Sequence, residues 1–168
     1  MRRITCAAIV TAVLSLSAMM PASAVVFQTD ALIDGPNTSD YLGNNVYNND
    51  GSQQTTNARV AQGKAARFKL RFQNDGSKKD NMVLKGCKGN RKFKVSYIRG
   101  LDNENDTDSF TSPGGARALV QAGISADYTL VIKVKDAADD GDRKNCKVTA
   151  TSEDTVTKDA VLATVRVK

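Results

Sequence analysis

The chain has 168 residues, in which 24 Lys and Arg outnumber 18 Asp and Glu, and it contains no histidine and no tryptophan. The lack of histidine excludes Ser-His-Asp and Cys-His catalytic machinery and removes the most common metal ligand. The acidic residues fall in loop-like segments, and the aromatic sugar platforms that glycosidases use are lacking. We therefore expect a protein without enzymatic activity and without a cofactor, Ca²⁺ in acidic loops excepted.

The N-terminal segment is typical of an export signal. Arg2 and Arg3 precede an apolar run over residues 4–20, and Ala22-Ser23-Ala24 provides the small residues that a signal peptidase accepts. We expect residues 1–24 to be removed and residues 25–168 to form one secreted domain, extracellular or periplasmic. No later segment is apolar enough over sufficient length to predict a transmembrane helix.

The polar segment NNVYNNDGSQQT, residues 44–55, is predicted to be the first corner of the domain. Its amide side chains suit Asx turns, and Gly43 and Gly51 suit a backbone with positive φ. We expect Val46 and Tyr47 to pack against the domain. The alternative is a ligand-binding loop, with contacts from Tyr41, Asn45 and Tyr47.

Hydrophobic alternation with period two dominates the rest of the chain, and helical periodicity is almost absent. Turn signals rich in glycine, asparagine and aspartate separate the alternating runs. This pattern predicts an all-β fold, an antiparallel immunoglobulin-like β-sandwich. The clearest strands are predicted at residues 66–72, 92–98, 128–134, 146–151 and 161–167.

Two cysteines follow the signal segment, Cys87 and Cys146. An isolated pair in an exported domain most often forms a structural disulfide, and we predict that bond. The alternative is a pair of free or redox-active thiols, which the lack of a C-x-x-C spacing disfavours.

Basic residues are concentrated in residues 64–99, which hold twelve Lys and Arg and two acidic residues. On the predicted strands they project away from the core, and on a shared sheet they would form a stripe able to bind a polyanion. The alternative is a solvated face that discourages edge pairing. Aromatic side chains are not interleaved with the stripe, so we expect no sequence-specific nucleic-acid binding. The predicted polyanion-binding residues are Arg67, Lys69, Arg71, Lys85, Lys92 and Lys94.

Two acidic loops are the candidate metal sites, because crowded carboxylate oxygens are the ligands that Ca²⁺ prefers. Neither loop has the spacing of an EF-hand, and the alternative is that both are solvated loops that keep the domain soluble. The first loop holds Asp102, Glu104, Asp106 and Asp108, and the second holds Asp136, Asp139, Asp140 and Asp142.

The order of these segments resembles an immunoglobulin-like module of large secreted bacterial proteins, similar to the cell-adhesion-related (CARDB) type. The resemblance covers essentially all of residues 25–168 and rests on VAQGKAARFKLRFQNDGS, VLKGC, FKVSYIRG, TATS and AVLATVRVK. It implies the β-sandwich fold and a role as a spacer, adhesive or binding module. The matching positions are Gly63, Asn74, Gly76, Gly123, Ser125 and residues 149–152.

Two functions are therefore expected. The first is a structural or adhesive module that contacts a cell envelope or a partner protein. The second is a binding protein for an anionic extracellular polymer, with Ca²⁺ in the acidic loops as an option. A secreted inhibitor of a hydrolase fits the same small disulfide-bonded format, but no exposed reactive loop identifies itself.

Overall fold

The computed structural model describes residues 26–100 and 102–168, which contain nine strands and one short helix. The predicted signal peptide lies outside the described residues. The elements in chain order are β1 Thr29–Asp34, β2 Thr55–Val60, β3 Ala65–Asn74, β4 Asp80–Lys85, β5 Phe93–Arg99, α1 Thr107–Thr111, β6 Ala116–Val120, β7 Ser125–Val134, β8 Arg143–Ser152 and β9 Lys158–Val167.

The strands form two sheets that pack face to face, which confirms the predicted immunoglobulin-like β-sandwich. One sheet has the order β1-β3-β7-β5, and the other has the order β2-β9-β8-β4-β6. All pairs are antiparallel except β2 with β9, which are parallel. A parallel pair needs a long connection, and here the whole intervening chain from β3 to β8 provides it.

Alternation of side chains explains why these segments form strands. In β3, inward residues are buried and outward residues are mostly exposed, as in a strand with one face on the core. The four-stranded sheet provides large side chains such as Phe68, Phe72 and Ile132, whereas the central strands of the five-stranded sheet provide mainly alanine and valine. Large residues of one sheet therefore pack against small residues of the other, which lets the two inner faces interdigitate.

The predicted disulfide between Cys87 and Cys146 is confirmed, with Cα atoms 5.2 Å apart. Cys146 lies on β8 and Cys87 just after β4, so the bond joins neighbouring strands of the five-stranded sheet. Tyr97 reaches it from β5 of the other sheet, and its hydroxyl donates to the Cys87 carbonyl at 3.2 Å. The Tyr97 ring stacks on Phe110 of α1, with centroids 4.3 Å apart. The disulfide is therefore part of the contact between the two sheets.

Strand β1 is unusual because both of its faces are buried. Ala31 and Ile33 face the core, and the segment that follows β1 pairs with its free edge through a bridge between Ile33 and Leu42. On the opposite face, the same segment donates hydrogen bonds to Asp34 from Thr38 and to Asp30 from the backbone N–H of Asn45. In the described part of the chain, no helix is long and apolar enough to cross a membrane.

Candidate functional site

The predicted basic stripe is divided in the structure. Strands β3 and β5 share the four-stranded sheet, but β7 lies between them, and its outward positions hold Asp127, neutral residues and the single basic residue Lys133. Arg71 binds Asp127 of β7 at 2.9 Å, and Lys69 binds Asp34 of β1 at 3.1 Å. These two cations are therefore neutralised within the sheet.

The other predicted stripe residues are also separated from one another. Lys92 binds Asp142 at 2.6 Å and Asp139 at 3.2 Å, and Lys85 lies on β4 of the opposite sheet. Within the described residues, Arg67 and Lys94 form no ion pair, and Lys94 lies directly across from Lys133. The predicted stripe is thus reduced to a small basic patch on the four-stranded sheet.

The first acidic loop is organised around an arginine. Arg99, at the end of β5, contacts the carboxylates of Asp102, Glu104 and Asp106 at 3.4, 3.1 and 2.9 Å. Asp108 lies on α1 and is exposed. The guanidinium therefore offsets part of the negative charge of three of the four carboxylates that were predicted to bind an ion.

The second acidic loop lies at the opposite end of β5, so the two loops do not share a site. Lys92 donates to Asp142 and Asp139, and its ammonium holds the pKa of Asp142 below its ordinary value. Asp136 and Asp140 are exposed. Across residues 26–100 and 102–168, no group of three or more acidic or cysteine side chains is placed to hold a metal ion.

Ca²⁺ binding stays a prediction at these loops, and their ion pairs with Arg99 and Lys92 weigh against it. A ligand raises the Tm only if the native protein binds it. Since we expect the ion-paired loops not to bind Ca²⁺, millimolar Ca²⁺ added after EDTA treatment should leave the Tm unchanged. A thermal melt measures this. A Tm increase that the Asp106→Ala or Asp140→Ala variant abolishes would contradict it.

The corner at residues 44–55 is held by two buried carboxylates, one from each sheet. Asp159 of β9 accepts from the backbone N–H of Asn48 at 3.0 Å and from the Gln54 amide at 2.8 Å. Asp30 of β1 accepts from the backbone N–H of Asn45 at 2.9 Å. The predicted positive φ values of Gly43 and Gly51 are confirmed, at 105° and 83°.

The side chains proposed for a ligand-binding loop are engaged in contacts within the protein. The Tyr41 ring lies 4.6 Å from the Arg71 guanidinium carbon. The Tyr47 hydroxyl donates to Asp75 at 2.8 Å, although 43 % of the residue remains exposed. Val46 is half-buried, and its carbonyl accepts from Gln54. These contacts favour the structural interpretation of the corner.

Burial raises the pKa of Asp30 to about 7, and the nearby carboxylates of Asp75 and Asp159 add to this effect. The native protein therefore keeps a proton on Asp30 that the unfolded chain releases near pH 4. We expect the free energy of unfolding to fall by about 2 to 4 kcal/mol as the pH rises from 4 to 7.

Urea unfolding at several pH values measures this dependence. The Asp30→Asn variant, which mimics the protonated side chain, should flatten the decline between pH 4 and 7. An Asp140→Asn variant in the exposed loop should keep the wild-type profile. Equal pH profiles for wild type and Asp30→Asn would contradict the assignment.

Of the two outer sheet faces in the described part of the chain, the face of the five-stranded sheet has the larger net positive charge. Its outward strand positions hold seven basic residues and no acidic residue within the described part of the chain. One of the seven, Arg117, pairs with Glu153 just beyond β8. The seven residues are Arg59, Lys85, Arg117, Arg143, Lys147, Lys158 and Arg166.

Two shallow depressions lie on this face. One, of about 820 Å³, includes Lys85, Lys147 and Lys158 in its lining. The other, of about 330 Å³, includes Arg59, Arg143 and Arg166. Sequence reasoning identified Lys85 alone from this surface, because the face is formed by strands distant in sequence.

No protein-family model matches the chain, and no curated protein matches it. Among solved structures, the N-terminal domain of PorA has a TM-score of 0.50 and 14% identity, over 82% of this chain and 97% of that one. A family 123 glycoside hydrolase from Clostridium perfringens has a TM-score of 0.47 and 14% identity, over 68% of this chain and 23% of that one.

A PapD-like domain of human CEP192 has a TM-score of 0.36 and 10% identity, over 68% of this chain and 79% of that one. The chain spans less than a quarter of the glycoside hydrolase. At these identities a structural likeness shows the fold alone. The chain is therefore similar to known β-sandwich domains in its architecture.

Proposed function

We propose that this protein is a secreted, non-enzymatic binding domain that contacts a component of the cell envelope or a partner protein. The observation that carries this proposal is the outer face of the five-stranded sheet. This face is broad, contains only shallow depressions and concentrates positive charge. Such a surface suits the binding of an extended partner better than the enclosure of a small substrate.

Export is part of the proposal. Residues 1–24 act as a signal peptide that is removed, and residues 25–168 form the single secreted domain. The Cys87–Cys146 disulfide supports this because such bonds persist in oxidising compartments. The similarity to the CARDB type, which rests on the sequence segments, adds an adhesive or spacer role.

A second candidate function is the binding of an anionic extracellular polymer. The observation that favours it is the excess of cations on the outer face of the five-stranded sheet. Of the seven basic residues on this face, Arg117 alone forms an ion pair with another described residue. Arginine and lysine bind phosphate, sulfate and carboxylate groups through charge-assisted hydrogen bonds. A polymer with repeated anionic groups would engage several of these cations together.

Co-sedimentation with purified bacterial cell walls tests both functions. The purified protein is mixed with walls that retain their anionic polymers and with walls from which acid has extracted them. Sedimentation with both preparations supports envelope contact through a neutral component, and sedimentation with the first alone supports the anionic polymer. Sedimentation with neither, under conditions where the protein stays folded, would contradict contact with this envelope.

A further inference from the structure

Three arginines stand side by side across the five-stranded sheet. Arg166 on β9 lies opposite Arg59 on the parallel strand β2 and opposite Arg143 on the antiparallel strand β8. All three occupy outward positions and are exposed. Since neighbouring strands are about 4.8 Å apart, their Cα atoms span about 10 Å. We call Arg59, Arg166 and Arg143 the arginine row.

This arrangement is unfavourable for folding. Like charges directly opposite each other on neighbouring strands destabilise a sheet, and arginine cannot lose its charge at any physiological pH. Among the described residues, none of the three arginines forms an ion pair with a carboxylate. An anion from outside the chain would remove the repulsion that the fold leaves in place.

The surroundings of the arginine row are suited to such an anion. The next row along the same strands consists of Asn57, Thr164 and Asn145, whose polar side chains carry no charge. The Thr164 hydroxyl donates to the Asn145 side-chain oxygen at 3.1 Å, and no described residue accepts a bond from the Asn145 amide hydrogens. Both rows except Asn145 line the depression of about 330 Å³.

We propose that the arginine row binds a phosphate or sulfate group of an anionic glycan. This inference rests on the proposed binding function and assigns it a site and a class of ligand. Guanidinium groups form paired N–H···O bonds with tetrahedral oxyanions, and the three in the row present their donors to one region. Asn57 and Thr164 lie beside them, where they are placed to bond the hydroxyl groups of the sugar.

Other features of the same face favour a glycan with repeated anionic groups over a nucleic acid. Lys147 lies four residues from Arg143 along β8, about 14 Å away, and Lys158 lies further along β9. Cations therefore continue along the strands from the arginine row. The outward strand positions of this sheet hold no aromatic residue in the described part of the chain, so nucleobases find no stacking surface.

The test compares two matched variants of the full secreted protein. Arg166→Gln removes the central member of the arginine row, and Arg67→Gln removes an exposed arginine of equal charge from the opposite sheet. Calorimetric titration at about 0.15 M salt, which limits long-range attraction, measures the binding of dextran sulfate, dextran phosphate and unmodified dextran. The sulfate and phosphate arms identify which oxyanion the site prefers.

We expect the wild type to bind charged dextran and not unmodified dextran. Arg166→Gln should weaken binding about tenfold or more, because it removes charge-assisted hydrogen bonds, whereas Arg67→Gln should change it less than about twofold. The Tm of Arg166→Gln should not fall below that of the wild type, since the substitution relieves repulsion. This second measurement separates a binding role from a structural one.

Equal losses of affinity for charged dextran in Arg166→Gln and Arg67→Gln would overturn the assignment of the site. A wild type that does not bind charged dextran would overturn it as well. Tighter binding of single-stranded DNA or of phosphatidylglycerol vesicles would overturn the glycan as its ligand. If Arg166→Gln sediments with cell walls as the wild type does, this inference fails and the envelope function stands. If neither protein sediments but the dextran result holds, the oxyanion site stands and the envelope function fails.

Discussion

The Asp159→Ala variant is expected to lose about 3 kcal/mol or more of its free energy of unfolding. Asp159 is fully buried and accepts four hydrogen bonds, from the backbone N–H groups of Ala31, Asn48 and Ala160 and from the Gln54 amide. Alanine would leave these donors buried without their acceptor, and each such donor costs about 1 to 3 kcal/mol. The bonds to Ala31 and Asn48 also connect β9 with the opposite sheet and the corner.

Urea unfolding of matched variants measures this effect. Asp159→Asn should have an intermediate stability, because its carbonyl oxygen still accepts while its amide nitrogen meets a donor. Asp50→Ala serves as the control, since Asp50 belongs to the same corner but is exposed. Similar unfolding midpoints for Asp159→Ala and Asp50→Ala would contradict the role given to the buried carboxylate.

Removal of the disulfide is expected to lower the free energy of unfolding by about 4 kcal/mol. The bond closes a segment with a sequence separation of 59 residues, and loops of this size restrict the unfolded chain strongly. In the native protein, the bond also fixes the Cys87 carbonyl that accepts from Tyr97. A Cys87→Ala/Cys146→Ala double variant should therefore melt about 12 °C below the oxidised wild type.

The reduced wild type provides the matched control for this variant, because it lacks the same bond but keeps both sulfur atoms. We expect it to unfold at a urea concentration close to that of the double variant. If the free energies of unfolding of the double variant and of the oxidised wild type differ by less than about 1 kcal/mol, the disulfide contributes little to stability and this prediction is wrong.

The parts of the fold with simple alternation could be predicted from the sequence. Strands β3, β5, β7, β8 and β9 each present an inward apolar row, and each was predicted close to its observed range. Strand β1 was not predicted, because all six of its residues, including Asp30 and Asp34, are buried and its sequence does not alternate between apolar and polar residues. The helix α1 has five residues and one buried side chain, too few to produce a helical period.

The candidate site could be predicted less well, because it depends on which strands become neighbours. The basic residues of β3 and β5 were predicted to form one stripe, but β7 separates them and Asp127 neutralises Arg71. The arginine row combines residues 59, 143 and 166, which only the pairing of β2, β9 and β8 brings together. A parallel pairing of β2 with β9 leaves no local signal in the sequence.

Mapping of arginine accessibility on cell walls tests the central claim, that the five-stranded sheet is the binding face. The wall-bound and free proteins are treated with phenylglyoxal, which modifies accessible arginines, and the modified peptides are quantified by mass spectrometry. We predict protection of Arg59, Arg143 and Arg166 in the wall-bound protein, with Arg67 modified equally in both states. Protection of Arg67 with continued modification of the arginine row would contradict the account.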